Sequence, residues 1–249
     1  MHRGRELLAR GLEAPSLTAF GFQQVVPGSG AFPGIALLGS PGLNPSVVTH
    51  AELGYDRRVG ALASTLRAAV FAQRTDDVIA DPSAAPSFAT PRGIINSSTN
   101  IGGSSAAGGE IGLRGGTNGW RWNASYALIS VSDRFDASGP LLWLDFRRGT
   151  PAHVVLLGGG YTWGRFEADL QGRWQSRFRD YRADARNNSL AFAPVEVPDY
   201  LRLDARVGYK VTEGLTVAFT ANQFNVSRLT QTAGRPVERR IFLSLSARL

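Results

Sequence analysis

The chain contains no cysteine. That excludes disulfide frameworks, thiolate metal sites and cysteine nucleophiles in a single step. Its three histidines, His2, His50 and His153, stand far apart, and none shares a metal-ligand spacing with other candidate donors. No apolar run approaches the roughly 20 residues that a membrane helix requires. The best candidate, Val154 to Leu157, runs straight into Gly158, Gly159 and Gly160. Met1-His2-Arg3-Gly4-Arg5 is basic, but no apolar core follows it as a secretory leader would need. The glycine stretches Gly102-Gly103 and Gly158 to Gly160 lack phosphate-binding spacing and read as close packing within strands. Asp76-Asp77 is an acid pair at a strand end, where solvated carboxylates are common. No catalytic, cofactor-binding or metal residue is assigned, and the expected cofactor is none.

The formal charge is +7, from 27 basic and 20 acidic residues. A basic balance can signal nucleic acid or an anionic surface. Here the arginines are spread along the chain without a nucleic-acid motif, so nucleic acid is not an expected partner.

What the sequence does have is alternation of period two. Leu201, Leu203, Ala205, Val207, Tyr209 and Val211 share one face of a strand, and Arg202, Asp204, Arg206, Gly208 and Lys210 share the other. A helix would scatter these two sets around its circumference. The pattern recurs with Phe166, Ala168, Leu170, Gly172 and Trp174 against Glu167, Asp169, Gln171, Arg173 and Gln175. It recurs again in Trp120 to Leu128, in Leu62 to Phe71 and in Arg240 to Leu249. Strands of about ten residues exceed the usual soluble length and match what crosses a bilayer at a tilt.

The spacing predicts ten strands, near 2–12, 47–57, 61–77, 104–116, 119–133, 151–162, 165–181, 199–211, 214–226 and 238–249. Their connections alternate. Short turns fall at Arg58–Gly60, Thr117–Asn118, Trp163–Gly164 and Thr212–Glu213, and long links at 13–46, 78–103, 134–150, 182–198 and 227–237. Transmembrane barrels have short periplasmic turns and long external loops. The expected fold is all-β: an antiparallel transmembrane β-barrel segment of about ten strands. A soluble β-sandwich would explain the alternation but neither the strand length nor the strict short–long order of links.

Several stretches, in this order, resemble the C-terminal part of the barrel of TonB-dependent outer-membrane receptors. Arg10-Gly11-Leu12-Glu13-Ala14-Pro15-Ser16-Leu17 resembles a strand end and loop of that family. Leu43-Asn44-Pro45 followed by Ala51-Glu52-Leu53-Gly54-Tyr55 resembles its next signature, with Ser46 where glutamate is usual. Ala69 to Arg74 with Asp77 and Ile79, Gly109 to Gly115, Pro151-Ala152-His153, and Asn222-Gln223-Phe224-Asn225 with Gly234-Arg235 continue the series. Leu249 departs from the family, which ends in phenylalanine or tryptophan.

The resemblance implies a Gram-negative outer-membrane location and energy-coupled uptake of a scarce nutrient of the ferric siderophore, cobalamin or glycan class. It implies no enzyme activity. The family barrel has about 22 strands around a plug, so residues 1–249 would be its C-terminal part. The plug domain, the TonB box and the signal peptide are then expected outside this sequence, and the TonB complex would act only through that plug. Ligand contact falls to the external loops, whose aromatic and basic candidates are Phe135, Trp143, Arg147, Arg148, Arg182 and Arg186. Outer-membrane lipid and lipopolysaccharide are the other expected partners. The competing reading is a self-standing ten-stranded barrel acting as a small pore or enzyme.

Overall fold

The computed structural model describes residues 2–30, 34–80, 87–90, 93–135, 144–184 and 191–247. Ten strands form one antiparallel sheet, each hydrogen-bonded to its predecessor in sequence order. They are β1 (His2–Glu13), β2 (Ser46–Val59), β3 (Ser64–Asp76), β4 (Gly102–Thr117), β5 (Trp120–Phe135), β6 (His153–Trp163), β7 (Phe166–Gln175), β8 (Tyr200–Thr212), β9 (Leu215–Asn222) and β10 (Arg240–Ala247). The links alternate as the sequence predicts. Tight connections join β2–β3, β4–β5, β6–β7 and β8–β9 at one end, and the long ones lie at the other. Among the described residues, β1 and β10 pair on one side only, so the ten strands form an open sheet and not a closed small barrel.

The tight turns show why the chain reverses where it does. Asn118 and Gly119 both take positive φ, 48° and 83°, which suits the twist of a two-residue hairpin. Gly119 has no substitute here, because an added Cβ would stand 2.5 Å from the Thr162 carbonyl oxygen.

Three boundaries differ from those expected. Leu62 belongs to a 3-10 turn over Gly60–Leu62, closed by Ala63 at φ 42°, so β3 begins only at Ser64. The strand expected over 165–181 stops at Gln175. There Ser176 hydrogen-bonds to both the carbonyl and the amide of His153, and the chain leaves the sheet for a separate hairpin, Phe178–Asp184 with Ala191–Val197. The strand expected over 214–226 stops at Asn222, because Gln223 turns to φ 57° and gives its amide to the Asp204 carboxylate. The terminal Leu249 lies outside the described residues.

The sheet has no ordinary core. Its apolar residues stand in the open: Leu243 is 78% exposed, Val70 58% and Leu157 57%. In a water-soluble protein such rows would be covered. On β8 the apolar set from Leu201 to Val211 faces this open side, while Arg202, Asp204 and Arg206 are half-buried on the other. Trp120, Tyr161, Trp163, Phe166 and Tyr209 pack ring against ring along the outward wall near the short turns. That is where interfacial aromatics belong in a membrane barrel. β1 fits less cleanly, since Glu6 stands opposite Leu53 on the outward side. A small conventional core of Val78, Ala80 and Ile101 lies instead beneath the long loops.

Candidate functional site

The inward wall is a polar surface built by strand alternation. Arg121 of β5 reaches across β6 to Asp169 of β7, with Nη2–Oδ1 at 2.8 Å, and also donates to Thr162 Oγ1 at 2.6 Å. It can do so because Gly160 lies between them, where an added Cβ would collide with both the carboxylate and the guanidinium. Gly158 leaves the same clearance for Asn123 and Gln171. Arg206 of β8 continues the chain of charge to Glu167 at 3.2 Å and Asp169 at 3.8 Å, and Lys210 joins Glu167 at 3.5 Å. Asp56 sits between Arg5 and Arg67 on the same wall. Such pairs are half-exposed and individually weak. Together they make a hydrated surface of fixed, alternating charge.

Above this wall the long loops lean inward. Residues 14–45 and 77–101 contribute a four-stranded mixed sheet, in which Ile35–Leu38 runs parallel to Gly93–Ser97. Asn100 ties these loops together, accepting from the Asn44 amide and donating to the carbonyls of Asn44 and Asp77. A second cluster joins the three later loops. Asp145 caps the short helix α1 (Phe146–Gly149) by accepting from the Arg148 amide. Arg179 lies 3.8 Å from Asp145 and 2.6 Å from Glu196. The bond to Glu196 holds its guanidinium still more firmly protonated, and burial pushes the neighbouring Tyr181 phenol above its usual range. Asp180 accepts from the Ala233 amide at 2.6 Å, which fastens the last loop to this hairpin.

Between loops and wall lies a cavity of about 560 Å³. Its floor is the inward face of β3, β4 and β5 (Gln73, Thr75, Ser104, Ile129), and its rim is Glu13 at the end of β1 with Ser16 and Phe146 from the loops. A small molecule of several hundred Å³ fits such a space.

The six candidate residues are not brought together. Phe135 ends β5 and is half-buried, packed edge-on against Phe146 at 6.0 Å and against the Val78 core, so it supports the loops from beneath and is not displayed on them. Arg147 and Arg148 are exposed on α1, and Arg182 is exposed on the hairpin after β7. Trp143 and Arg186 lie outside the described residues. The residues that order the loops, Asp145, Arg179 and Asp180, escape sequence reading because the contacts that tie one loop to another, Arg179 to Asp145 and Asp180 to Ala233, span 34 and 53 positions. Asp76 and Asp77 do not form an acid site: Asp76 pairs with Arg74, and Asp77 offers its carbonyl to Ser46 and Asn100.

The family described as TonB dependent receptor-like, beta-barrel, matches residues 8–226. The chain belongs to that family. It is therefore part of the wall of a Gram-negative outer-membrane receptor barrel and not an enzyme. A comparison with curated proteins gave no significant match. Among solved structures, the chain is similar to the siderophore receptor PirA from Acinetobacter baumannii, with TM-score 0.73 at 15% identity over 99% of this chain and 39% of that one. It is similar also to the ferric enterobactin receptor PfeA from Pseudomonas aeruginosa in complex with enterobactin (0.72, 14%, 99% and 38%). The FrpB iron transporter from Neisseria meningitidis gives 0.64 at 16% identity, over 86% and 33%. The chain thus spans 33–39% of the length of these receptors. At such identities the likeness speaks to the fold alone.

Proposed function

We propose that this chain is the C-terminal part of the barrel of an energy-coupled receptor that imports a ferric siderophore. The observation that carries this reading is the loop-roofed cavity over the inward face of β3, β4 and β5. A chelate captured from outside would first meet Arg147, Arg148 and Arg182, whose guanidiniums suit an anionic ligand. Trp143 and Arg186, from the same two stretches of sequence, are proposed as further ligand contacts, with Phe135 supporting the loops from beneath. The inward charges of β5, β7 and β8 would seat a plug domain supplied by another segment, through which the TonB complex would act. On the other wall, the partners are membrane lipid and lipopolysaccharide.

The test is growth on iron supplied only as a ferric siderophore, in a strain deleted for the natural chain and complemented with it. Replacing Arg147, Arg148 and Arg182 by Glu should abolish growth on one class of siderophore while leaving growth on free iron intact. Unchanged growth on every ferric siderophore after deletion would overturn the proposal.

A further inference from the structure

The cavity beneath the long loops is bounded by side chains whose chemistry is more particular than its size. Gln73 and Thr75 of β3 face it from below, with Ser104 and Ala106 of β4 beside them. Each pair is two apart on its strand and so points the same way. Two hydroxyls on this surface are already engaged as donors. Ser104 Oγ donates to Asp133 Oδ1 at 2.8 Å, and the buried Ser46 Oγ donates to the Asp77 carbonyl at 2.8 Å. A hydroxyl whose proton is committed has only lone pairs left to offer. Both therefore present acceptors to whatever enters. Glu13 adds carboxylate oxygens at the rim.

The cavity is thus rich in acceptors, while the first arginines of the proposed ligand rim stand just outside it. Phe146 lines the space, and the next residue, Arg147, gives its backbone amide to Asp133 Oδ2 at 2.9 Å. One carboxylate so joins the two regions, holding Ser104 with one oxygen and Arg147 with the other. An anion attracted to Arg147 and Arg148 would meet like charge further in, from Glu13 and Asp133. A group that goes deeper must be uncharged, and it must bring N–H or O–H donors. Acceptors buried without them cost about 1–3 kcal/mol each. Gln73 and Thr75 both donate and accept, so they pair with an amide in either sense. Val78, Ile79, Ala106, Ile129 and Val131 supply the apolar remainder of the lining.

We infer that this cavity receives an uncharged, amide- and hydroxyl-bearing arm of the chelate, short and peptide-like, while the anionic iron centre stays at Arg147 and Arg148. The inference rests on the uptake reading and narrows it to siderophores that carry such an arm. A chelate with acidic groups all round its periphery would be held at the rim alone. At about 560 Å³ the space lies within the size range of small-molecule sites.

The experiment uses the full receptor that carries this chain, purified from outer membranes in mild detergent, and three ferric tris-catecholates sharing one iron centre. The first has no arm, the second a seryl-serinamide arm and the third an aspartyl-aspartate arm. Equilibrium binding of each is measured with radioactive iron. The seryl chelate should bind at least about tenfold tighter than the armless one, as two hydrogen bonds of ordinary strength would give. The aspartyl arm should confer no gain. In A106F, which fills the cavity, the seryl and armless chelates should bind alike, and in Q73K the aspartyl arm should become the preferred one. R147E/R148E should weaken the seryl and armless chelates by the same factor and leave their ratio unchanged. Equal affinity for all three chelates, a preference for the aspartyl arm on the unsubstituted receptor, or an undiminished seryl advantage in A106F would overturn the inference and leave the uptake proposal standing. Binding of none of the three would overturn both. If A106F is not recovered folded, the comparison of the three chelates on the unsubstituted receptor decides the matter.

Discussion

The two faces of the same ten strands solve one problem in opposite ways. Both need side chains to reach across an intervening strand, and both use a glycine to let them through. On the inward wall Gly160 clears the way for Arg121 and Asp169; on the outward wall Gly115 lets Trp122 Nε1 reach Ser64 Oγ at 2.8 Å. The difference lies in what surrounds them. Inward side chains can swing into water if crowded, whereas the Trp122 indole is held by Ser64 Oγ, which itself donates to the Leu62 carbonyl. Polar groups on the outward side must be satisfied locally or be absent.

Arginine placed at mid-depth should separate the two faces most sharply. Leu170→Arg points outward from a site 50% exposed, and should destabilise the folded barrel by about 2–4 kcal/mol. Its neighbour Gln171→Arg points inward and should change stability by no more than about 0.5 kcal/mol. The temperature at which the folded electrophoretic band converts to the unfolded one reads both, and similar shifts would mean that the faces are wrongly assigned.

Gly115→Ala should come next, at about 1–3 kcal/mol. The new Cβ meets the Ala63 carbonyl at 2.6 Å and Ser64 Cα at 2.9 Å, neither of which can retreat, and the Trp122 hydrogen bond is lost. Tryptophan fluorescence shifting with the loss of stability would report it.

Gly160→Ala should do less, although it too has close neighbours. Two of them are the ends of Asp169 and Arg121, which can turn aside. The conversion temperature should fall by less than for Gly115→Ala, and a larger fall would show that the inward charges are held rigidly. Asp169→Asn should have the smallest effect, because Arg206 keeps Glu167 and Arg121 keeps Thr162. The gap between wild type and this variant should narrow further in high salt, since such pairs are screened.

Much of this architecture is written in the alternation itself. Side chains from 201 to 211 divide between two faces in sequence as they do in space, and the order of short and long links carries the up-and-down topology. What escapes is anything fixed by a partner far along the chain. The strand over 165–181 ends at Gln175 because His153 captures Ser176, and no local pattern announces that bond. The candidate loop residues were harder still. Composition pointed to Phe135 as a display residue, yet an aromatic at a strand end is equally suited to pack under a loop, as it does here.

A reach of side chain over a bare backbone also joins what evolution would otherwise vary separately. With Arg121 and Asp169 meeting across the glycine at 160, any substituent on the middle strand evicts both neighbours at once. Among homologues, drift at the empty position 160 should therefore be accompanied by change at the two filled ones, 121 and 169.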